Sequence, residues 1–133
     1  MKLPNQSIYS LLDCEAVLIP IEPGTKKPKY GLLGWQKFTF KKTQAKEYQK
    51  SLTNAPAIGV VLHTSRTTLC SIDLDDDTYL KIFLDQNPKL KNTFRTRGES
   101  GENIWLKLKG YYPKYAKLKH DNKPAGEWRV DNY

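Results

Sequence analysis

Thr68-Leu69-Cys70-Ser71-Ile72-Asp73-Leu74-Asp75, followed at once by Asp76-Asp77, is the stretch that decides how this chain reads. With a period of two, Cys70, Ile72 and Leu74 share one face of a strand and Ser71, Asp73 and Asp75 the other, with Leu69 out of phase. Such a strand packs its apolar side against helices and projects two carboxylates from the opposite side, about 7 Å apart along the backbone. Like charges held that close repel unless a cation lies between them. Hard oxygen donors of this kind suit Mg²⁺ or Mn²⁺. The same residues equally describe an acidic strand end that caps the next helix, with Asp76 as N-cap and Asp77 in the first turn. On this segment alone both readings stand.

Working outward, Asp77 to about Gln86 reads as a helix that stops before Asn87-Pro88. Upstream, Ala57 to Leu62 is an apolar strand, joined to Thr68–Asp75 by a turn around His63 to Thr67. Downstream, Asn92 to Arg97 and Asn103 to Lys109 read as two strands around Gly98-Glu99-Ser100-Gly101. Toward the N-terminus, Ser7 to Asp13 is a short amphipathic turn or helix and Ala16 to Ile21 a buried strand. Glu22 to Pro28 is a loop, since two prolines and a glycine exclude regular structure. Thr43 to Leu52 reads as a helix with Thr43 as N-cap and Ala45, Tyr48 and Leu52 on one face. Gly110 to Ala125, rich in Tyr, Lys and Pro, reads as irregular, and Glu127 to Val130 as a last short strand. The expectation is an α+β fold, helices packed on one mostly antiparallel sheet.

The 133 residues suit a single domain and are 38% hydrophobic, enough for a modest core. No apolar run approaches a bilayer span and no signal peptide is visible, so the expectation is a cytoplasmic protein without a membrane partner. Twenty-two Lys and Arg against 14 Asp and Glu give a net charge of +8. That balance fits a polyanionic partner, nucleic acid before membrane, or a merely lysine-rich protein. Cys14 and Cys70 lie far apart with no His at ligand spacing. They read as buried thiols rather than a zinc site or a disulfide framework.

Taken together and in order, the blocks resemble the primase–polymerase (prim-pol) domain of the archaeo-eukaryotic primase superfamily. Val17-Leu18-Ile19-Pro20-Ile21, then Gly24-Thr25-Lys26-Lys27-Pro28 and Gly34-Trp35, are similar to the family's opening strand, lysine-proline loop and tryptophan. Asn54 to Ser65 is similar to its second strand and turn, and Ile72-Asp73-Leu74-Asp75 to the metal-binding Asp-x-Asp. Thr96-Arg97-Gly98 through Asn103, with Trp105 and Lys107, falls at the glycine-rich second motif, and Gly126-Glu127-Trp128-Arg129 at the third. The resemblance implies a core sheet like that of RNA-recognition folds and template-directed nucleotidyl transfer in DNA replication, as a DNA primase or polymerase of a mobile element. Asp73, Asp75 and Glu127 would hold two Mg²⁺ or Mn²⁺ ions. Arg97, Ser100, Asn103, Lys107 and Arg129 would contact the nucleoside triphosphate, and Lys26, Lys27 and Lys29 a single-stranded DNA template. The expectation is further that residues 1–133 are either the N-terminal, prim-pol part of a longer replication protein, with a helicase module or subunit as partner, or a naturally shortened relative.

One departure bears on activity. The family's second motif ends in a histidine that contacts phosphate, and Asn103 stands there; Asn donates a hydrogen bond but carries no charge. A catalytically inactive domain that binds single-stranded DNA or a replication partner is therefore the alternative, and a metal-dependent nuclease using the same carboxylates a third. Each candidate also has a plain structural reading. Lys26, Lys27 and Lys29 can be solvated loop lysines, and Arg95 and Arg97, alternating on one strand face, a polar face toward water. Ser100-Gly101 can be a tight turn, and Glu127 one partner of a cross-strand salt bridge. Tyr111, Tyr112 and Tyr115 among lysines can stack bases or cover the core edge. Trp35 and Trp105 read as core.

Overall fold

A computed structural model describes residues 5–12, 15–29, 32–62, 69–98, 100–108 and 115–130. They form an α+β protein in which every strand pairing is antiparallel. Two compact units divide it, one from the described residues up to Leu62 and the other from Leu69 to Val130. The strands accordingly form two sheets rather than one. The expected turn around His63–Thr67, the residues Lys109–Lys114 with Tyr111 and Tyr112, and Cys14 lie outside the described residues.

In the first unit, helix α1 (Asn5–Leu12) precedes strand β1 (Val17–Ile21), which pairs with β2 (Ala57–Val61) over its whole length. Val17, Ile19, Phe38 and Val61 make the core, with Ile21, Leu32, Trp35 and Tyr48 packed around it. Between the strands lie helices α2 (Phe40–Thr43) and α3 (Lys46–Asn54). The single helix expected from Thr43 is therefore broken. Thr39, not Thr43, is the N-cap of α2, its hydroxyl accepting from the Lys42 N–H at 3.2 Å. Thr43 is fully buried, and its hydroxyl donates to the Phe40 carbonyl at 2.7 Å. That bond closes α2, and Ala45 starts α3 with no side-chain cap. Leu52 and Tyr48 do face inward, and the Tyr48 hydroxyl donates to the Leu18 carbonyl at 2.7 Å. Burial raises the Tyr48 hydroxyl pKa well above its ordinary value.

The second unit is a five-stranded sheet in the order β4-β5-β3-β7-β6, covered on one face by helix α4 (Asp77–Gln86). Strand β3 (Leu69–Leu74) is central. It runs between β5 (Glu102–Lys107) and β7 (Lys123–Arg129), with β4 (Arg95–Arg97) and β6 (Ala116–His120) at the edges. Ile72, Leu74 and Ile104 pack against Leu80 and Leu84 of α4, with Phe83, Leu106, Leu118 and Trp128 beside them. The helix starts as the sequence expects: Asp76 accepts from the Tyr79 N–H at 3.0 Å, and Asp77 sits in the first turn. Asn92 belongs not to β4 but to a 3₁₀ turn over Pro88–Asn92, because Pro88 starts a new turn where α4 stops.

The irregular region expected from Gly110 to Ala125 is instead largely the β6–β7 hairpin. Asp121 and Asn122 hold φ of 50° and 65°, the left-handed pair that a two-residue turn needs. Pro124 lies beyond the end of β3, at the register shift after Leu118, where β7 has only one neighbour. Lys117 and Lys119 stud the outer strand, a usual way of keeping an edge from pairing with other chains. Among the described residues no helix is long and apolar enough to cross a membrane.

Candidate functional site

Register decides which side chains meet on the sheet face away from α4. Asp73 stands opposite Asn103 on β5 and opposite Glu127 on β7; one step along, Ser71 stands opposite Trp105 and Arg129. Opposed residues of an antiparallel pair share a face. Asp73, Glu127, Arg129, Asn103, Trp105 and Ser71 are thus neighbours on one surface. Lys107, opposite Leu69, and Lys117, opposite Glu127, lie on the same side.

Arg129 joins the two carboxylates. Its Nη2 lies 2.8 Å from Asp73 Oδ2 and its Nε donates to Glu127 Oε2 at 2.9 Å. All three side chains are only partly exposed: 23% for Asp73, 32% for Glu127 and 34% for Arg129. Water therefore screens the pairs less than it would at an open surface. Two half-buried carboxylates facing one another repel, and the guanidinium offsets that repulsion with a directed bond to each. Glu127 pairs with Arg129 along its own strand, and the cross-strand bridge is the one Arg129 makes to Asp73. Among the described residues Asn103 makes no charged contact; its Oδ1 accepts from the buried Ser71 hydroxyl at 2.8 Å.

Asp75 is exposed and lies just past the end of β3. Its backbone is held on both sides, by its N–H donating to the Ala125 carbonyl at 3.0 Å and its carbonyl accepting from the Ser100 hydroxyl at 2.8 Å. Two glycines let the neighbouring strands come this close. A Cβ at Gly101 would overlap the Leu74 carbonyl oxygen and lie 2.8 Å from the Asp75 carbonyl carbon. One at Gly126 would overlap the Asp73 carbonyl oxygen. The Asp73-Leu74-Asp75 backbone is thus gripped from β5 on one side and β7 on the other.

Arg97 faces the other way. It pairs in register with Glu102, which stands opposite Leu74, and so lies on the α4 side of the sheet. Its Nη2 donates to Asp77 Oδ2 at 2.6 Å and its Nη1 lies 3.6 Å from Glu102 Oε1. That bond holds the Asp77 carboxyl below its usual range and raises the Arg97 pKa. Arg95 and Arg97 do point at one anion, and it is Glu102. Arg95 Nε is 3.2 Å from Glu102 Oε2 but off the hydrogen-bonding direction, so that buried oxygen is charge-paired without a hydrogen bond. Of the residues singled out from sequence, then, the structure gathers Asp73, Glu127, Arg129 and Asn103, sets Ser100 against Asp75, and places Lys107 on their face and Arg97 behind it. Ser71, which holds Asn103, was not singled out; its signal is that it alternates in phase with Asp73.

Lys26, Lys27 and Lys29 belong to the first unit. Their loop is ordered by its own bonds: the Glu22 N–H donates to the Lys27 carbonyl at 2.9 Å, and the Lys29 N–H to the Pro20 carbonyl at 2.8 Å. Lys26, Lys27 and Lys29 are exposed.

Among the described residues, no three His, Cys, Asp or Glu side chains converge as a ready metal cluster. Asp73 and Glu127 nonetheless fit a divalent cation in donor type, and they already hold one cationic group between them. Neither a protein-family model nor a curated protein sequence matches this chain.

Proposed function

We propose that this chain is a primase–polymerase-like domain that performs template-directed nucleotidyl transfer in DNA replication. The observation that carries the proposal is the register of β3 with β7, which sets Asp73 and Glu127 face to face beside Arg129 on the sheet face away from α4. A central acidic strand on a sheet covered by helix on one face is compatible with the RNA-recognition-like core that the sequence resemblance implies. In this reading Asp73, Glu127 and Asp75 hold Mg²⁺ or Mn²⁺, which would activate the attacking 3′-oxygen and stabilise the leaving pyrophosphate. Arg129 and Lys107 supply positive charge to the triphosphate from the same face, and Asn103 a neutral donor. Ser100 sets the Asp75 backbone, Arg97 braces the helix start behind it, and the lysine loop carries a single-stranded template.

A second reading has its own support. Arg129 satisfies both carboxylates and Asn103 brings no charge, the arrangement expected of a primase-like domain that has become a single-strand binder without catalysis. Primer synthesis and extension on an oligonucleotide template, with Mn²⁺ and labelled nucleotides, separates the two. Template-dependent products that fall at least a hundredfold in Asp73→Asn and Glu127→Gln uphold the enzyme. Absence of product, with single-strand binding unchanged in Asp73→Asn, refutes it in favour of the binder. Shortening of the primer would instead mean a nuclease.

A further inference from the structure

The loop that carries Lys27 and Lys29 also walls a cleft of about 420 Å³, within the usual size of small-ligand sites, roughly 300–1,000 Å³. Its other walls are apolar: Pro28, Leu32, Leu33 and Trp35, with Glu22 at the rim. Leu33, 90% exposed, lines the cleft together with Pro28, Leu32 and Trp35, so it belongs to an apolar group rather than standing alone. Trp35 has one side packed on the Val17–Ile19–Phe38–Val61 core and also lines the cleft. Backbone hydrogen bonds brace the described parts of its walls. The Glu22–Lys27 and Lys29–Pro20 bonds hold one side, and Phe38 donates its N–H to the Trp35 carbonyl at 3.1 Å on the other.

The charge around it chooses the occupant. Residues 1–62 contain nine lysines and four acidic residues, so this part of the chain alone carries +5 of the net charge. Lys27 makes no ion pair among the described residues, and Lys29 reaches only the Ser51 hydroxyl, at 3.4 Å. An aromatic side chain lining the same cleft as two exposed lysines suits a base with its adjoining phosphates. A concave pocket reaches a base only where it is unstacked, which favours a single strand over a duplex.

We infer that this cleft binds single-stranded nucleic acid, one base lodging against Trp35 and Leu33 while Lys27 and Lys29 engage the adjoining phosphates. The inference deepens the template-carrying role proposed for the lysine loop and rests on that reading for the choice of a nucleic acid. It differs in locating part of the recognition in apolar contact, independent of the carboxylates on β3 and β7.

The test is binding of a fluorescein-labelled single-stranded 20-mer to the full chain by anisotropy over a salt series, with the matching duplex and anionic vesicles of phosphatidylserine and phosphatidylcholine in parallel. Leu33→Ser removes a side chain that is almost wholly in solvent, so it leaves the fold intact. It is expected to weaken single-strand binding about fivefold or more without changing the salt slope. Lys27→Glu is expected to weaken it about tenfold and to lower the slope by about one. Lys89→Glu makes the same charge change on the second unit and serves as control, expected within twofold of the parent. Trp35→Phe is expected to retain most of the affinity that Trp35→Ala loses. Leu33→Ser without effect, Lys27→Glu no worse than Lys89→Glu, duplex bound as tightly as single strand, or vesicles bound in place of the oligonucleotide would each overturn the inference. Loss of binding in Leu33→Ser together with no primer extension by the parent would leave it standing and remove the nucleotidyl-transfer proposal.

Discussion

Replacing Gly101 with alanine tests whether the backbone around Asp75 is clamped as described. Gly101 has φ +70°, where an L side chain costs about 1–2 kcal/mol. Its new Cβ would also overlap the Leu74 carbonyl oxygen and lie 2.8 Å and 2.9 Å from Asp75 C and Asp76 N. These are backbone atoms, so no side chain can swing aside, and β5 must move off β3. Overpacking of that kind costs about 1–3 kcal/mol. The sum is roughly 2–5 kcal/mol, or about 10–20 °C in melting temperature for a chain of this size. Gly24→Ala supplies the comparison: φ is +68°, but nothing lies within 4 Å of the added carbon. It should lose only the backbone part, about 5 °C. Thermal unfolding by circular dichroism reads both variants. If Gly101→Ala melts within about 3 °C of Gly24→Ala, the close approach of the β4–β5 turn to the Asp75 segment is refuted, and with it the role given to Ser100.

Three further outcomes follow from the same contacts. Asn103→His should raise nucleotide affinity up to about tenfold, measured as a lower KM in primer extension, because a charged donor to phosphate is worth more than a neutral one. An unchanged KM would mean that Asn103 does not face the triphosphate. Arg97→Ala should return the Asp77 carboxyl toward its ordinary value, visible in a carboxyl-carbon NMR titration. Since the folded value is depressed, the stabilisation is present above the unfolded pKa, near 3.9, and fades as pH falls through the folded one. The parent should therefore lose more stability than Arg97→Ala on acidification, and added salt should narrow the difference because the pair is exposed. Burial pushes the Cys70 thiol up to about 11. In a Cys14→Ser background it should resist Ellman's reagent at pH 8 and react fully in 6 M guanidinium; fast reaction in the folded state would contradict its burial in β3.

How much was legible from the sequence depended on whether local chemistry or long-range pairing set each feature. Asp76 and Asp77 announced the helix to Gln86 because capping acts within four residues. The β3 alternation correctly separated Asp73 from Ile72, since strand period fixes faces without knowledge of partners. The β6–β7 hairpin is marked locally only by the left-handed pair Asp121-Asn122; the lysines around it are tolerated on the edge strand β6, and Pro124 where β7 has passed the end of β3 and has one neighbour. Thr43 misled because a threonine before a helical run serves as well to end a preceding turn through its own i−3 carbonyl. The division of strands into two sheets depends on which strands pair, and no local signal carries that. For the site, alternation placed Glu127 and Arg129 on one face of their strand but could not say that Asp73 stands opposite Glu127. That needed the register, and in it the glycines act: Gly126 meets Leu74 only in this alignment, where a side chain would strike the Asp73 carbonyl.

That constraint has an electrostatic consequence. With β7 locked against β3, Asp73 and Glu127 cannot separate to relieve their repulsion, and their partial burial denies them full solvation. A cation placed between the two carboxylates therefore stabilises this arrangement, before any question of catalysis. Arg129 meets the requirement from two residues along Glu127's own strand, where the period of two keeps its guanidinium on the right face. The oxygens it occupies, Asp73 Oδ2 and Glu127 Oε2, are among those a divalent ion would take. A metal ion and the guanidinium cannot both hold the same lone pairs, so loading such an ion entails moving Arg129 off at least one carboxylate. A guanidinium displaced in that way would remain on the same face, within reach of an anionic ligand brought by the metal. Under the proposed nucleotidyl transfer, the charge that pairs with these carboxylates would be the one offered to a triphosphate, and the catalytic and binding proposals differ in whether a cation competes with Arg129 at these two oxygens.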